Sequence, residues 1–509
     1  MSFVDGLTGT WNTAPVLLTE RTASQRAEVG KRERSSWWAA GFGAMLGAAL
    51  FLGTHRALTD DAYISLAYAV NLAELGHWGL LSDRGANTAT SPLNVWLLAA
   101  SSVVTGRPVV SAGLLLVATL AVCCWWADAI RRHLGLSRVM PYVLVALLAT
   151  SPLLASTVGL ETLLGVALLV GITRYAMAGR PVVAGLLCGL AVLCRPDLAV
   201  PAGVLVLVLL PGRRWALVAG MAGLVALPWH LFAWVVLGGF VPNTLWIKTS
   251  TTGDYERWGS LVTAPVILGR ALPSAMALTA VPVAAGLLCA AWAVVRRRQP
   301  WAQVTVAFAT AGWAHWLALV AIGAFPQVWY FAPLVSCSAC AVTVAVARMR
   351  VRVPMLTVAG ALCAASVVVA GPVPWVIAPF STNWATTQQY QTVAAQLPAL
   401  TGGRPVRGPG EIGVLALHSA VPVRDHLSDP AYARRYLDAR HEIAGPVLQA
   451  FLQWNWTHRP NQPAPTDRYR LTYASYEPAP PGRLIHTWPI ATPSHGPDLL
   501  VLTELPPSG

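Results

Sequence analysis

The sequence predicts a polytopic α-helical membrane protein that carries a smaller α/β domain at its C-terminal end. First, the chain of 509 residues is 55% hydrophobic and only 11% charged, whereas soluble proteins carry about 25% charged residues. Second, the basic residues recur in short clusters between apolar segments, the pattern of loops that alternate across a membrane. Third, the long apolar segments stop near residue 378, and the rest is rich in Pro, Arg, His and Tyr.

The apolar segments and basic clusters together predict about 11 membrane spans. The polar, basic segment 1–36 is predicted to be cytoplasmic, so that the first span runs outward. When each later basic cluster is also placed inside, the predicted spans are 37–54, 108–130, 140–157, 160–178, 181–193, 199–210, 215–237, 275–295, 301–323, 330–347 and 354–378. This helical domain, residues 37–378, is predicted to cross the plasma membrane many times.

Two segments are predicted to lie outside the membrane. The loop 55–107 contains "SPLNVWLLAASSVVTG", whose roughly 15 apolar-rich residues are fewer than the ~20 that a span needs. We expect that stretch to form a helix at the membrane interface. Residues 379–509 contain the alternating runs "YRLTYASY", "RLIHTW" and "DLLVLTEL", which predict strands of an extracytoplasmic α/β domain.

Several classes of function and site are disfavoured. The net charge of +13 is spread over many clusters, so we expect no nucleic-acid partner. All eight cysteines fall within apolar segments and are interpreted as small buried side chains. Cys337 and Cys340 form a C-x-x-C without a second pair. No histidine spacing typical of a metal site is present.

Ionisable residues other than the basic clusters collect at the predicted outer ends of the spans. They are Asp60, Asp61, Glu74, Asp83, Arg84, Glu161, Arg195, Asp197, Lys248, Asp254, Glu256 and Arg257. Because charges at membrane depth are costly, such residues usually face a cavity or a partner.

Structural alternatives exist for several of these residues. Asp61 could cap the helix "DAYISLAYAVNLAELG", which would leave Asp60 before the cap and freer for chemistry. Glu161 could complement a helix dipole. Arg195 and Asp197 could pair with each other, and Lys248 could anchor in lipid headgroups.

The motifs "DDAYIS", "TSPL", "GLET", "RPD", "PNTLWIK", "EIGVLA" and "VRDHLSD" occur in this order. This set resembles the GT-C superfamily of polyprenyl-phosphate-sugar-dependent glycosyltransferases, over about residues 37–429. It is most similar to the actinobacterial arabinofuranosyltransferases that add terminal residues to cell-wall arabinan. Two departures stand out: Asp197 replaces the Glu common in "RPE", and Gln327 and Val328 stand where an Arg often precedes the aromatic pair.

The resemblance implies a catalytic base in the first external loop, at Asp60 with Asp61 adjacent. It also implies a lipid donor that enters from the bilayer and a cell-wall glycan acceptor under the external domain. Inverting sugar transfer needs a base for the acceptor hydroxyl, and a phosphate leaving group needs cations. The candidates for these cations are Arg195, Lys248 and Arg56.

Further substrate contacts are predicted from the remaining motif residues, namely Glu161, Asp197, Asn243, Tyr330, Glu411 and Asp425. Glu411 and Asp425 could instead hold the tail on the helices. A divalent cation such as Mg²⁺, Mn²⁺ or Ca²⁺ could bind through Asp60, Asp61 or Glu161, because hard cations prefer oxygen ligands; the sequence leaves this open.

Three alternatives to arabinofuranosyl transfer stay open at this point. Mannose is the nearest rival donor sugar. A lipid-glycan transporter would place charges in the middle of spans, and a scaffold without catalytic activity would tolerate loss of Asp60.

Overall fold

The computed structural model describes residues 23–250, 259–349, 352–460, 465–476 and 481–506. The first 22 residues of the predicted cytoplasmic segment lie outside these ranges, as do Asp254, Glu256 and Arg257. Within the described residues, helices dominate up to Ala370, and a sheet is confined to the C-terminal part.

The helices follow the chain in this order: α1 Ala23–Thr54, α2 Asp60–Leu75, α3 Pro92–Thr105, α4 Pro108–Leu134, α5 Met140–Thr150, α6 Pro152–Ala155, α7 Thr162–Met177, α8 Pro181–Cys194, α9 Ala199–Leu209, α10 Arg214–Val236, α11 Asn243–Ser250, α12 Ala264–Ala271, α13 Pro273–Val295, α14 Pro300–Ala321, α15 Ala332–Arg348, α16 Arg352–Ala370, α17 Thr387–Thr401, α18 Gly413–His418, α19 Pro430–Glu442 and α20 Pro446–Asn455. The strands are β1 Val406–Arg407, β2 Val423–Arg424, β3 Tyr469–Tyr473, β4 Arg483–Thr492 and β5 Gly496–Glu504.

The prediction of a polytopic helical membrane protein is confirmed at the level of fold class. Six described helices are long and apolar enough to cross a membrane: Ser36–Thr54, Pro108–Leu134, Arg214–Val236, Pro273–Val295, Pro300–Ala321 and Val328–Arg348. The other five predicted spans coincide with shorter apolar helices, Met140–Thr150, Thr162–Met177, Pro181–Cys194, Pro196–Leu209 and Leu356–Ala370. The total of about 11 spans stays a prediction.

Two of the predicted spans are wrong at their C-terminal ends. The span 140–157 is interrupted after Thr150, because a residue before proline is disfavoured in the α region and Ser151 takes ψ 121° ahead of Pro152. The span 354–378 stops at Ala370, where Gly371 takes a left-handed φ of 86°.

The segment between the first two long helices folds as a pair of helices. α2 ends at Gly76, which has a left-handed φ of 64° and donates its N–H to carbonyls of the last turn. α3 packs against α2 and α4, and at 14 residues it is as short as the sequence predicts. These helices bring Asp60 and Asp61 to the end of the bundle where the C-terminal part of the chain lies.

The predicted α/β domain is present, and the three runs expected to form strands correspond to β3, β4 and β5. We define the C-terminal domain here as the elements from α17 onward. Its sheet has the order β2-β1-β3-β5-β4. β1 pairs in parallel with β2 and β3, whereas β5 lies antiparallel between β3 and β4.

Two contacts seat the C-terminal domain on the bundle. The short helix α18 packs against α2, and the main core continues from the bundle into the domain through Val414 and Leu415. A second apolar cluster joins α11 to α19 and α20 through Trp246, Leu437 and Leu452. The domain therefore holds both the start of α2 and the helix that carries Lys248.

Six of the eight cysteines are buried as the sequence predicts, including Cys337 and Cys340, whereas Cys289 and Cys363 are partly exposed. All eight are free thiols. They contribute to packing within the helices.

Candidate active site

Two neighbouring cavities lie between the helical bundle and the C-terminal domain. The larger, which we name the domain cavity, has a volume of about 400 Å³ and is lined by residues of both parts, including Asp60, Glu411 and Asp425. The smaller, the bundle cavity, has a volume of about 240 Å³ and is lined mainly by helix ends, including Glu161 and Arg195. The residues that line both are Asp61, Lys248, Trp329 and Leu427.

Asp60 joins the two parts of the protein. Its carboxylate accepts hydrogen bonds from the backbone N–H of Gly413 at 2.8 Å and of Val414 at 2.9 Å. The side chain is only 3% exposed, and this burial raises the pKa of Asp60 to about 7, although the two N–H groups act in the opposite direction.

One of the alternatives considered for the two adjacent carboxylates is not what the structure shows. In that alternative Asp61 caps the helix and Asp60 is freer for chemistry. In the structure α2 begins at Asp60, and the capping position belongs to Thr59, whose side chain makes no capping hydrogen bond. Asp60 is engaged by the C-terminal domain, whereas Asp61 keeps 32% of its side chain exposed.

Asp61 lies at the boundary between the cavities. Among the carboxylates of the described residues, it is the one that lines both cavities. Its Oδ2 lies 3.7 Å from Nζ of Lys248, and that ammonium lies 5.2 Å from the ring centre of Trp329. A carboxylate, an ammonium and an aromatic ring thus meet where the cavities adjoin.

Arg195 lies on the wall of the bundle cavity among acidic and aromatic groups. Nε and Nη2 donate to the two oxygens of Asp197 at 3.0 and 2.7 Å, so the pairing considered from the sequence is present. Glu161 lies 3.7 Å away on another side, and the guanidinium lies 5.1 Å from the ring centre of Tyr330. Three predicted residues, Asp197, Glu161 and Tyr330, therefore surround the one cation Arg195.

His315 completes this cluster and was missed in the sequence analysis. It lies on α14 with no exposed surface, and its Nε2 lies 2.7 Å from Oδ2 of Asp197. Because a carboxylate only accepts, Nε2 is the protonated nitrogen. The signal in the sequence is a single ionisable residue in the apolar run "TAGWAHWLALV", a position where polar groups are usually functional or paired.

Glu411 organises an aromatic group on the wall of the domain cavity. Its Oε2 accepts from the backbone N–H of Trp384 at 3.0 Å and from the hydroxyl of Tyr390 at 2.6 Å. The Trp384 ring stacks on Tyr473 at 4.4 Å with 8° between the planes, and His495 lies 3.9 Å from Trp384. Burial raises the pKa of Glu411 well above its usual value.

Asp425 follows β2 and is turned toward the start of α19. Its Oδ1 accepts the backbone N–H groups of Leu427 at 2.7 Å and Ser428 at 2.9 Å. Its Oδ2 is buried and has no hydrogen-bond partner among the residues that the structure describes. Since a buried unpaired oxygen is costly and Asp425 lines the domain cavity, this atom is suited to accept a hydrogen bond from a ligand.

Two predicted site residues lie elsewhere. Arg56 is exposed and lines neither cavity, so the structure does not group it with Arg195 and Lys248. Asn243 is buried at the start of α11, where its Oδ1 accepts from the indole of Trp456 at 3.2 Å. Its contacts position α11, and it lines neither cavity.

The three carboxylates considered as ligands of a divalent cation do not come together. Within the described ranges, no three His, Cys, Asp or Glu side chains come together as a set of metal ligands. Asp60 has both oxygens on backbone N–H groups, and Glu161 lies beside Arg195. Asp60, Asp61 and Glu161 therefore do not form a three-carboxylate site for Mg²⁺, Mn²⁺ or Ca²⁺.

No family model matches the sequence, and no curated protein matches it. Among solved structures, ArnT from Cupriavidus metallidurans bound to undecaprenyl phosphate is similar with a TM-score of 0.49 at 14% identity, over 91% of this chain and 98% of that chain. The apo state of that protein gives a TM-score of 0.48 at 16% identity, over 93% and 98%. The arabinofuranosyltransferase AftD from Mycobacteria gives 0.48 at 15% identity, over 92% of this chain but 40% of that one. Similarities of this size carry no conclusion about activity.

Proposed function

We propose that the protein is an inverting glycosyltransferase that moves a sugar from a polyprenyl-phosphate donor to a cell-wall glycan acceptor. The observation that carries this proposal is the position of Asp61, the carboxylate common to the two cavities. A transferase must bring a donor and an acceptor together at one base, and adjoining cavities that share a carboxylate meet this requirement.

The bundle cavity suits the donor. It lies among helix ends and has apolar residues such as Leu160, Leu319 and Ile322 in its wall, next to the cations Arg195 and Lys248. A polyprenyl phosphate has a long apolar chain and an anionic head, so these two kinds of wall match its two parts. The guanidinium and the ammonium would stabilise the charge that develops on the departing phosphate.

The domain cavity suits the acceptor. Its wall combines hydrogen-bonding groups, such as Asp425 and His426, with the aromatic residues Trp329, Tyr432 and Tyr476. Sugars present hydroxyl groups at their edges and C–H groups on their faces, so they bind to walls of this mixed composition. Its larger volume, about 400 Å³, leaves room for more than one sugar unit.

Asp61 is the preferred catalytic base of the two adjacent carboxylates. In the proposed step, an acceptor hydroxyl oxygen attacks the anomeric carbon and the bond from that carbon to the phosphate oxygen breaks. The hydroxyl proton passes to Asp61, and the lipid phosphate leaves with the bonding electrons. Asp60 is less suited to this role because both of its oxygens already accept backbone N–H groups, so we assign it to holding the C-terminal domain on α2.

The finer assignments rest on the resemblance described above. We propose arabinofuranose as the donor sugar, with mannose as the rival, and the extracytoplasmic face of the plasma membrane as the place of transfer. The N-terminus is then cytoplasmic, and the C-terminal domain, within residues 379–509, is extracytoplasmic.

The test uses the purified full chain in lipid nanodiscs with synthetic polyprenyl-phosphate arabinofuranose and a short arabinan acceptor. We expect product with the wild type, a loss of at least about a hundredfold in Asp61→Asn, and retention of the folded state in that variant. A parallel reaction with polyprenyl-phosphate mannose identifies the donor sugar.

Either of two results would contradict the proposal. Full activity of Asp61→Asn would remove Asp61 as the base, and an inactive but correctly folded Asp60→Asn would then transfer that role to Asp60. No product from either donor would leave the protein without the proposed activity.

A further inference from the structure

Several arginines of the C-terminal domain and of the loop 55–107 are paired with carboxylates. Arg84 lies 3.2 Å from Asp429, and Arg424 lies 2.9 Å from Asp83. Arg459 and Arg434 both approach Asp438, at 2.9 and 3.7 Å. The first two pairs join the loop 55–107 to the C-terminal domain, and the other two lie within that domain.

Arg407 and Arg435 differ from these paired arginines. Within the described part of the chain, neither has a carboxylate oxygen within 4 Å. Each guanidinium lies over a tyrosine instead: Arg407 is 5.2 Å from the ring centre of Tyr432, and Arg435 is 4.6 Å from that of Tyr436. All four residues line the domain cavity.

The two tyrosines bring the arginines to the same wall. Tyr432 and Tyr436 are four residues apart on α19, so they lie on one face of that helix. Arg407 reaches this face from β1, whereas Arg435 belongs to α19 itself. Arg435 also donates from Nη2 to the hydroxyl of Tyr436 at 2.7 Å, and the remaining N–H groups of the two guanidinium groups match the geometry of a phosphate or carboxylate.

His426 lies within the same cationic wall. Its ring centre is 4.8 Å from that of Tyr436, and it also lines the domain cavity. Burial lowers the pKa of His426, and the neighbouring Arg435, Lys248 and Arg407 lower it further, whereas Asp425 acts in the opposite direction. The charges of three cations and of one carboxylate, Asp425, therefore act on this ring.

We propose that Arg407 and Arg435 form an anion subsite in the domain cavity, and that the acceptor of the proposed reaction is an anionic glycan carrying a phosphate or a carboxylate. That the bound glycan is an acceptor rests on the proposed function, but binding of an anion at the subsite does not depend on catalysis. The proposed donor phosphate is assigned to Arg195, on the wall of the bundle cavity. Arg407 and Arg435 lie in the C-terminal domain and line the domain cavity.

The test measures binding apart from transfer. Fluorescently labelled short arabinan oligosaccharides of one length, neutral, with one terminal phosphate, or with one uronate carboxylate, are titrated against the full chain in nanodiscs. At low salt we expect the wild type to bind at least one anionic oligosaccharide about tenfold more tightly than the neutral one, since hydrogen bonds between charged groups are roughly twice as strong as neutral ones. The preference should shrink at high salt.

The variants Arg407→Gln, Arg435→Gln and their combination should reduce this preference, and the double variant should abolish it. Arg434→Gln is the matched control, because Arg434 precedes Arg435 on α19, pairs with Asp438 and does not line the cavity. It should keep the full preference. The comparison of phosphate with uronate identifies which anion the subsite takes.

The outcomes separate this inference from the proposed function. Equal binding of neutral and anionic oligosaccharides by the wild type, or a preference that survives in the double variant, would overturn the anion subsite. If the wild type prefers the anionic oligosaccharide and the double variant does not, the anion subsite is supported. If the wild type also transfers sugar from no donor, the proposed transferase activity fails while the subsite stands. If the double variant does not fold, the salt dependence and the two single variants decide.

Discussion

Asp60 and Gly413 meet backbone to backbone where the helical bundle contacts the C-terminal domain. The N–H of Gly413 donates to Oδ2 of Asp60 at 2.8 Å, and a Cβ on Gly413 would lie 2.0 Å from the carbonyl oxygen of Asp60. Only glycine allows this approach. The contact fixes the domain over the residues that line both cavities.

Gly413→Ala should therefore loosen the domain from the bundle. The added methyl group meets backbone atoms of α2 that cannot yield, and overpacking of this kind costs about 1–3 kcal/mol. We expect a lower melting temperature and faster proteolysis of the C-terminal domain in the purified protein. Gly203→Ala is the control, because a Cβ at that position on α9 meets nothing within 4 Å. Equal stability of the two variants would show that the close approach of Gly413 to Asp60 does not contribute to stability.

Asp60→Asn should destabilise the protein in a pH-dependent way. One carboxylate oxygen becomes an NH₂ group that faces a backbone N–H, and an unsatisfied buried donor costs about 1–3 kcal/mol. Because the pKa of Asp60 is raised to about 7, the folded state binds a proton that the unfolded state releases above its ordinary value of 3.8. The stabilisation from protonation is thus complete below pH 3.8 and is lost as the pH rises to about 7.

The measurement for Asp60 is the melting temperature of the wild type and of Asp60→Asn from pH 4 to pH 8. The wild type, relative to the variant, should lose stability as the pH rises through this range and then level off above about pH 7. Parallel curves for the two proteins would show that Asp60 does not titrate there.

His315→Gln should weaken the binding of the lipid phosphate without affecting the acceptor. His315 holds Asp197 at 2.7 Å, and Asp197 in turn holds Arg195 by two hydrogen bonds, so the histidine acts as a positioning residue for the arginine. We expect the Kd for undecaprenyl phosphate to rise about tenfold, the effect typical of removing a group that orients a ligand. His315→Leu, which has no N–H to donate to Asp197, should raise this Kd at least as much.

His230→Gln is the matched control for His315. His230 is also buried in a long helix, but its ring contacts the carbonyl oxygen of Phe240 at 2.9 Å, away from Arg195. Its substitution should leave the binding of undecaprenyl phosphate unchanged. If both histidine variants lower this affinity equally, the effect reflects general packing.

Asp425→Asn should weaken binding of the acceptor and leave binding of the donor unchanged. The amide can keep its oxygen on the N–H groups of Leu427 and Ser428, but it replaces the unpaired Oδ2 by a donor. Loss of a hydrogen bond to a charged acceptor is worth about 1.5–3 kcal/mol, so the KM for the glycan should rise about tenfold or more. An unchanged acceptor KM, with normal folding, would leave Asp425 with a structural role alone.

The sequence by itself determined the membrane class and most of the chemistry that collects at one end of the bundle. Apolar length and basic clusters are additive properties of local segments, so they identify helices such as Pro108–Leu134 without knowledge of their neighbours. Alternation of side chains likewise identified β3, β4 and β5. The cost of charge at membrane depth singled out Asp61, Glu161, Arg195 and Lys248, and each of them lines a cavity.

Tertiary structure decided which of those residues are free to act and which are occupied. Asp60 and Asp61 are adjacent and chemically identical, yet a backbone 353 residues away in the chain buries one and leaves the other between the two cavities. The same long-range packing brings His315 to Asp197 and separates Arg56 and Asn243 from the site. Hydrogen bonds and burial depend on atoms that are distant in sequence, and no local pattern specifies them.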